Sequence, residues 1–188
     1  MDETDEGVWG RILAGDPLSF GVIWDRHKDR VFTHVLRGGA TRHDAEDLAA
    51  MAFLELWRRR SHVTFVDGSV LPWLLVTTRN VARNAARSRR RFEKFLATLP
   101  PPVLIDDAAR AISDHEDKRL TALRGALASL KPIDADLLAM TAIEGFSIRE
   151  AALATGVSES AAKTRLSRLR RRLKSTATAT LLPEGEPS

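Results

Sequence analysis

The sequence contains no cysteine and no tyrosine, and charged residues interrupt every apolar stretch. Without cysteine, disulfide bridges and thiolate metal sites are excluded. No stretch approaches the ~18 consecutive apolar residues that cross a bilayer. The first residues, MDETDEG, are acidic and lack the basic stretch and apolar core of a secretory signal. These absences predict a cytoplasmic protein.

Signatures of catalysis are missing as well. There is no phosphate-binding glycine loop and no serine in a nucleophile-elbow pattern. The five histidines, which show no metal-ligand spacing, are His27, His34, His43, His62 and His115. The acidic pair Asp106 and Asp107 lies in a predicted linker, where catalytic geometry could not be held. The sequence predicts no enzyme activity, no catalytic residue, no metal site and no cofactor.

What the sequence does contain is two basic segments separated by an acidic one. Residues 79–94 carry seven basic side chains and one acidic, and residues 163–174 carry seven basic and none acidic. Between them, residues 103–118 hold five acids and two bases. A single charge run is more often a solvated helix face, but two runs that each end a helical pattern favour contacts with nucleic acid.

The periodicity predicts an all-α fold of two small helical domains joined by a flexible acidic linker. No window has the period-two alternation of a strand, and capping-box patterns begin at Thr41, Ser113 and Ser147. Helices are expected near 5–14, 17–37, 42–60, 70–95, 114–130, 133–144, 148–155 and 158–175. The predicted division is a domain at 1–95, a linker at 96–113, a domain at 114–175 and a disordered tail at 176–188.

The sharpest local pattern is a helix-turn-helix in residues 147–174. Ala152 is the small residue that lets two helices cross, Gly156 makes the turn, and Ser158 caps the second helix. The apolar residues predicted to face the core are Ala162, Leu166, Leu169 and Leu173. The polar residues predicted to face a DNA major groove are Lys163, Thr164, Ser167, Arg168 and Arg171. The alternative is an ordinary amphipathic hairpin with a basic surface.

Two N-terminal helices also carry functional patterns. Residues 43–60 have two apolar stripes, and this arc is wide enough to include a partner surface, although burial within a helical bundle would also explain it. In residues 73–91 two polar rows lie side by side at a spacing of four. These rows, which can offer charge and amides to DNA, are Arg79, Arg83 and Arg87, and Asn80 and Asn84.

The order of these motifs resembles that of the extracytoplasmic-function sigma factors, group 4 of the sigma-70 family. The similarity starts with AGDPLSFGVIWDRHKDRVF (Ala14 to Phe32) and continues with DAEDL and F-L-x-x-W (Asp44 to Trp57). It then includes P-W-L and R-N (Pro72 to Asn80) and VSESAAKTRLSRLRRRL in the helix-turn-helix. The resemblance covers roughly residues 8–174 and implies a bacterial transcription initiation factor with sigma regions 2 and 4.

The resemblance also implies site residues. Matching the helix that binds the clamp of the polymerase β′ subunit are Asp44, Asp47, Leu48, Phe53 and Trp57. The minus-ten readers of the family correspond to two elements of this chain. One is the base-capturing loop, Val66, Asp67, Gly68, Ser69 and Val70. The other is the helix that carries Arg79, Asn80, Arg83 and Asn84, together with Arg87 of the same row. Matching the minus-thirty-five reader are Lys163, Thr164, Arg165, Ser167 and Arg168, with Arg171 on the same face.

The partners implied are core RNA polymerase, through its β′ clamp and β flap, promoter DNA in the nucleoid, and an anti-sigma factor. Ala50 and Met51 stand where family members often have an acidic pair, which predicts a weaker contact with the core enzyme. The alternative function is a conventional helix-turn-helix regulator with an N-terminal sensing or dimerisation domain. A third possibility, a helical protein that regulates another sigma factor, is disfavoured by the two basic stripes.

Overall fold

The computed structural model describes residues 3–96, 125–127 and 129–179. The main helices are α1 (Asp5–Leu13), α2 (Ser19–Arg37), α3 (Arg42–Arg58), α4 (Leu71–Leu96), α5 (Pro132–Leu138), α6 (Ile148–Thr155) and α7 (Glu159–Ala179). A 3₁₀ turn at Arg60–His62 follows α3, and a π turn at Ala139–Ile143 continues α5. Within these ranges β pairing is limited to one isolated bridge, between Val66 and Ser69. The predicted all-α fold is confirmed.

Local capping interactions fix several helix ends. The Thr41 hydroxyl accepts a hydrogen bond from the Asp44 amide at 3.1 Å. Ser147 and Glu150 form a full capping box, in which the Ser147 hydroxyl accepts from the Glu150 amide and the Glu150 carboxylate accepts from the Ser147 amide. Gly156 ends α6 with φ +72°, a left-handed conformation that favours glycine. The capping box predicted at Ser113 lies outside the described residues.

The N-terminal module, formed by α1 to α4, has a core rich in aromatic rings. Phe53 is 2% exposed, and its ring lies 4.6 Å from that of Trp24. Phe20 packs edge-on against Trp57 at 5.3 Å. Since Leu48 is also buried, most of the wide apolar arc of α3 is used inside the module. Bundle burial therefore explains most of the pattern that the sequence left open.

The C-terminal module, formed by α5 to α7, has a smaller core of short side chains. Its buried cluster consists of Leu137, Met140, Ala151, Ala152, Ala162 and Leu166. Ala152 is 2% exposed, consistent with its predicted place where the helices cross. A side chain larger than alanine would force helices α6 and α7 apart at this point.

The two modules are in contact in the structure. The Phe146 ring packs against both cores, and Val76 of α4 packs against the C-terminal core. The sequence predicted separate modules, because helical periodicity identifies buried faces but not which module covers them. The predicted linker lies, apart from residue 96 in α4, outside the described residues. Helix α7 extends to Ala179, four residues past the predicted boundary, because residues 175–179 contain no glycine or proline to end it.

We expect Ser147→Ala to lower the free energy of unfolding by about 1 kcal/mol, because it removes the hydroxyl that accepts from the Glu150 amide. Urea denaturation followed by circular dichroism measures this change. Ser167→Ala is the matched control, since Ser167 is exposed in the interior of α7. Equal effects of the two substitutions would contradict the capping role of Ser147.

Candidate nucleic-acid and polymerase interface

Helix α7 presents a polar face on the side opposite its core contacts. Ala162, Leu166 and Leu169 are buried. The predicted major-groove residues Lys163, Thr164, Ser167, Arg168 and Arg171 are all exposed. The sequence-predicted face of this helix is therefore open, and its hydroxyl and guanidinium groups have the chemistry to bond base edges and phosphates.

Lys163 and Arg165 of α7 have acidic partners. Lys163 Nζ lies 2.6 Å from a carboxylate oxygen of Glu159 one turn earlier, in an exposed pair. Arg165 Nη1 lies 2.9 Å from Asp134 Oδ1 of α5. The family resemblance grouped Arg165 with the minus-thirty-five readers, whereas in the structure its guanidinium pairs with Asp134 of its own module. Arg165 therefore holds α7 against α5 in this conformation.

The arginine row of α4 is engaged by the C-terminal module. Asp136 of α5, which is 4% exposed, accepts a hydrogen bond from Arg79 Nε at 2.8 Å. It also accepts from both terminal nitrogens of Arg83, at 2.9 Å and 3.1 Å. We call these three residues the Asp136 clasp. One buried carboxylate thus pairs with two of the three arginines of α4 that the sequence assigned to DNA.

The asparagine row of α4 remains accessible beside the clasp. Asn80, Asn84 and Arg87 are exposed. The two asparagines line a groove between α3 and α4, whose other walls include Met51 and Arg58. Within the stripe, Arg79 and Arg83 therefore face α5, whereas the two asparagines are exposed, with the Asn80 carbonyl accepting a hydrogen bond from Arg83.

A second ionic contact joins α2 to the π turn. Glu144, 8% exposed, lies with its carboxylate 2.8 Å from His34 Nδ1. Its backbone carbonyl accepts from Arg30 at 3.0 Å, and Arg37 Nη1 lies 3.7 Å from its carboxylate. Burial lowers the pKa of His34, and the hydrogen bond that its ring donates to the Glu144 carboxylate opposes this only in part. The two modules are therefore joined at a second point besides the Asp136 clasp, and no local sequence pattern predicted this contact.

The predicted base-capturing loop is a tight hairpin turn. Val66 and Ser69 exchange backbone hydrogen bonds at 2.9 Å and 3.0 Å. Asp67 and Gly68 between them have φ +50° and +76°, the pattern of a two-residue type I′ turn. Val66 and Val70 are buried, so the turn presents Asp67 at an exposed tip. The dipeptide Asp-Gly is the signal that would have identified this turn in the sequence.

The residues assigned to the polymerase clamp differ in accessibility. Asp47 is exposed and Trp57 is partly buried, whereas Leu48 and Phe53 are 9% and 2% exposed. Asp44 Oδ1 accepts from Arg89 at 3.1 Å. The Thr41 hydrogen bond, assisted by Arg89, holds the pKa of Asp44 below its usual value. Leu48 and Phe53 therefore shape this surface from within.

Exposed apolar side chains near this helix were missed by sequence analysis. Leu18, Met51 and Leu54 are 85%, 51% and 48% exposed. Leu54 lines an apolar groove between α2 and α3 together with Pro17, Phe20, Trp24, Ala50, Phe53 and Trp57. These positions interrupt or flank the buried stripes, and the sequence offered no signal that separated them from the core. A solvent-facing apolar groove is typical of a protein-binding surface.

The described residues include neither a membrane-spanning helix nor a cluster of metal ligands. No helix there is long and apolar enough to span a bilayer. Likewise, His, Asp and Glu side chains in the described ranges form no group of three or more that could hold a metal ion.

Comparisons with known proteins give a consistent result. The model of Sigma-70 region 2 matches residues 23–92, and that of Sigma-70, region 4 matches residues 120–173. The chain is 30% identical over 190 residues to the ECF RNA polymerase sigma factor SigE of Mycolicibacterium smegmatis, covering 93% of this chain and 69% of SigE. It is 29% identical to the ECF sigma factor BldN of Streptomyces coelicolor over 82% of this chain, and it spans 58% of the length of BldN.

The fold is also that of a solved sigma factor. The structure of CnrH in complex with the cytosolic domain of CnrY matches with a TM-score of 0.60 and 22% identity, over 94% of this chain and 99% of that one. The two region matches follow each other in the order of the two modules, and the SigE similarity spans both. This chain belongs to the extracytoplasmic-function family of RNA polymerase sigma factors, the subunits that direct the polymerase to promoters.

Proposed function

We propose that this chain binds core RNA polymerase and recognises promoters through two separate DNA contacts, with the polymerase supplying all catalysis. It acts in the cytoplasm, at the nucleoid where polymerase and promoter DNA meet. The observation that carries the proposal is the exposed polar face of α7 in a capped helix-turn-helix, on a chain that also matches region 2.

The minus-thirty-five contact is assigned to the exposed face of α7. Thr164, Ser167 and Arg168 have the donors and acceptors to read base edges, and Lys163 and Arg171 have the charge to bind phosphates. Arg165, which is paired with Asp134, holds α7 against α5 and is not assigned a DNA contact.

The minus-ten contact is assigned to the Asp67 turn and to α4. An unpaired base that has left the duplex needs a preformed pocket, and the buried Val66 and Val70 anchor the turn that would provide it. Asn80 and Asn84 are accessible for hydrogen bonds to bases or to the strand backbone. Arg79 and Arg83 become fully available to DNA only after the Asp136 clasp opens, because the carboxylate occupies the Nε donor of Arg79 and both terminal nitrogens of Arg83.

The apolar groove between α2 and α3 is assigned to the β′ clamp, with Leu54 and Trp57 at its edge. Asp47 adds an exposed negative charge beside it. The β flap as a partner of region 4 and an anti-sigma factor as an inhibitor remain predictions from the family. Affinity purification from cell extract with mass spectrometry would detect all of these proteins together.

The direct test is reconstitution of transcription. Purified chain added to core polymerase should start transcription at particular promoters of a genomic library, whereas core polymerase alone should not. A conventional helix-turn-helix regulator would instead bind its duplex tightly without polymerase. Tight specific binding by the free chain, with no promoter-dependent transcription in the reconstituted mixture, would overturn the proposal.

Arg168→Ala should weaken recognition of the minus-thirty-five element by ~1–3 kcal/mol if the guanidinium contacts a base. The measurement is holoenzyme transcription from a library randomised in that element, which shows which base loses its preference. Arg170→Ala removes the same charge roughly 160° around the helix and is the matched control. An unchanged base preference in the Arg168 variant would remove this residue from the reading set.

A further inference from the structure

A buried carboxylate on the first helix is bonded to the minus-ten loop. Asp5 is the first residue of α1 and is 5% exposed. Its Oδ2 accepts from the Ser69 hydroxyl and from the Val70 amide, each at 3.0 Å. These partners lie more than sixty residues away in the chain. Because the bonded residues are so far apart in sequence, these hydrogen bonds fix the loop to α1 and not merely to its own flanking residues.

The backbone of α1 adds a further bond to the same loop. The Glu6 amide donates to the Gly68 carbonyl at 3.3 Å. Gly68, Ser69 and Val70 are therefore all held by the first two residues of one helix. The exposed Asp67 directly precedes these three residues, so the tip of the turn projects from a segment in which each residue is hydrogen-bonded to α1.

Ser69 connects this anchor to the predicted recognition helix. Its hydroxyl donates to Asp5 and accepts from the Leu71 amide, the first residue of α4, at 3.2 Å. The orientation of the hydroxyl is thereby fixed at both ends. Asp5 thus sets the position of the turn relative to the helix that carries Asn80.

Helix α2 supports the carboxylate from the other side. His27 Nε2 lies 2.7 Å from Asp5 Oδ2, and Arg26 donates to Oδ1 at 3.0 Å. Burial by itself would raise the pKa of Asp5, but hydrogen bonds from His27, the Val70 amide and Arg26 outweigh it and hold the pKa well below its usual value. An ionised carboxylate only accepts hydrogen bonds, so it suits the four donors that surround it.

We infer that Asp5 is a positioning residue for minus-ten recognition: it holds Ser69 and Val70 so that the Asp67 turn presents one preformed conformation to the captured base. This inference rests on the proposed function of the loop. A loop that is already ordered loses less conformational freedom when the base enters, so binding is stronger and discrimination between bases is sharper. The donors come from the loop as well as from α2, so removing the acceptor releases the loop at two points.

The test uses full-length chain in holoenzyme with promoters that carry every base at each minus-ten position. Asp5→Asn keeps the shape of the side chain but loses its charge and one acceptor. We expect base discrimination in the minus-ten element to fall about tenfold, the size of one typical mismatch effect, while minus-thirty-five preference is unchanged. Glu6→Gln is the matched control, because it removes an exposed charge at the next position and keeps the backbone bond.

A second variant approaches the same contact from the loop. Ser69→Ala removes one donor to Asp5 and leaves the carboxylate with its α2 partners, so it should share the defect even if the Asp5 variant folds poorly. Hydrogen exchange at the Val70 amide should accelerate in Asp5→Asn, because this amide donates to the carboxylate.

The outcomes separate this inference from the proposed function. Equal losses at all promoters, or unchanged discrimination in both variants with active wild-type holoenzyme, would overturn the positioning role alone. Failure of the wild-type chain to start transcription would overturn the proposed function, and the inference with it. Lost minus-ten discrimination with accelerated exchange at Val70, and neither change in Glu6→Gln, supports both.

Discussion

Replacing Asp136 by asparagine is expected to shift the chain from its closed arrangement toward one with separated modules. Asp136 is the acceptor for both Arg79 and Arg83, and its side chain is 6% exposed. Removing one partner of a buried ion pair destabilises the closed arrangement more than removing one partner of an exposed pair, because the remaining charge stays buried without its counter-ion. The arginine side chains are each 26% exposed and can recover some hydration, which reduces the effect.

The magnitude follows from the type of bond. Charge-assisted hydrogen bonds contribute about 1.5–3 kcal/mol each, and asparagine retains part of the acceptor function, so we expect the closed form to lose about 2 kcal/mol. That is roughly thirtyfold in the ratio of closed to open molecules. The apparent affinity of free chain for a single-stranded minus-ten oligonucleotide should rise by up to this factor, since Arg79 and Arg83 are fully available only in the open form.

The measurement is energy transfer between two dyes, one on each module. The chain has no cysteine, so cysteines introduced at the exposed Ser61 and Ser175 label cleanly. Transfer should fall in Asp136→Asn and fall further when Glu144→Gln removes the second contact. Fluorescence anisotropy of a labelled oligonucleotide measures the affinity.

Asp134→Asn is the matched control for this experiment. Asp134 lies two residues away on α5, but its partner Arg165 belongs to the same module. Its loss should leave energy transfer and oligonucleotide affinity unchanged. If the two variants behave alike, or if neither changes the transfer, the Asp136 clasp does not control access to the arginine row.

Much of the local structure followed from the sequence because its signals are local. The Ser147 capping box, the left-handed Gly156 and the buried face of α7 each depend on residues within one or two turns. The order of modules also followed from the order of motifs, which the two region matches support. These features need no knowledge of how distant segments meet.

The contacts that modify function were not predictable in the same way. Asp136 and Glu144 lie in helical patterns that give no sign of a partner. The arginines that they contact belong to the other module, more than fifty residues away in the chain. Asp5 looked like an ordinary acid in the first turn of a helix, where negative charge is common. Each of these roles depends on tertiary packing, which brings one carboxylate to several donors.

Periodicity also failed to separate exposed from buried apolar residues on α3. The family resemblance includes Leu48 and Phe53 in the predicted polymerase contact, and both side chains are buried within the module. A helix with apolar residues on more than one stripe has no unique inner face, so burial depends on the placement of neighbouring helices. Leu54, nearly half exposed beside Trp57, therefore became a candidate only through the structure.

Leu54→Arg is expected to abolish most binding to core polymerase while leaving the fold intact. Leu54 is 48% exposed, so the longer side chain extends into solvent in the free protein. In the complex the same charge would enter the apolar groove formed with Phe53 and Trp57, where an unpaired charge is strongly unfavourable. An unpaired charge buried in an interface costs at least about 2 kcal/mol, so core affinity should fall roughly thirtyfold or more.

Leu36→Arg provides the matched control, since Leu36 is 37% exposed near the end of α2 and is not among the residues that line this groove. Both variants should keep the wild-type melting temperature, and only Leu54→Arg should lose affinity in a titration of labelled chain with core enzyme. Wild-type affinity in Leu54→Arg would mean that the polymerase does not use this groove. Loss in Leu36→Arg alone would move the contact to the opposite end of α2, because the two substitutions introduce the same charge and differ only in place.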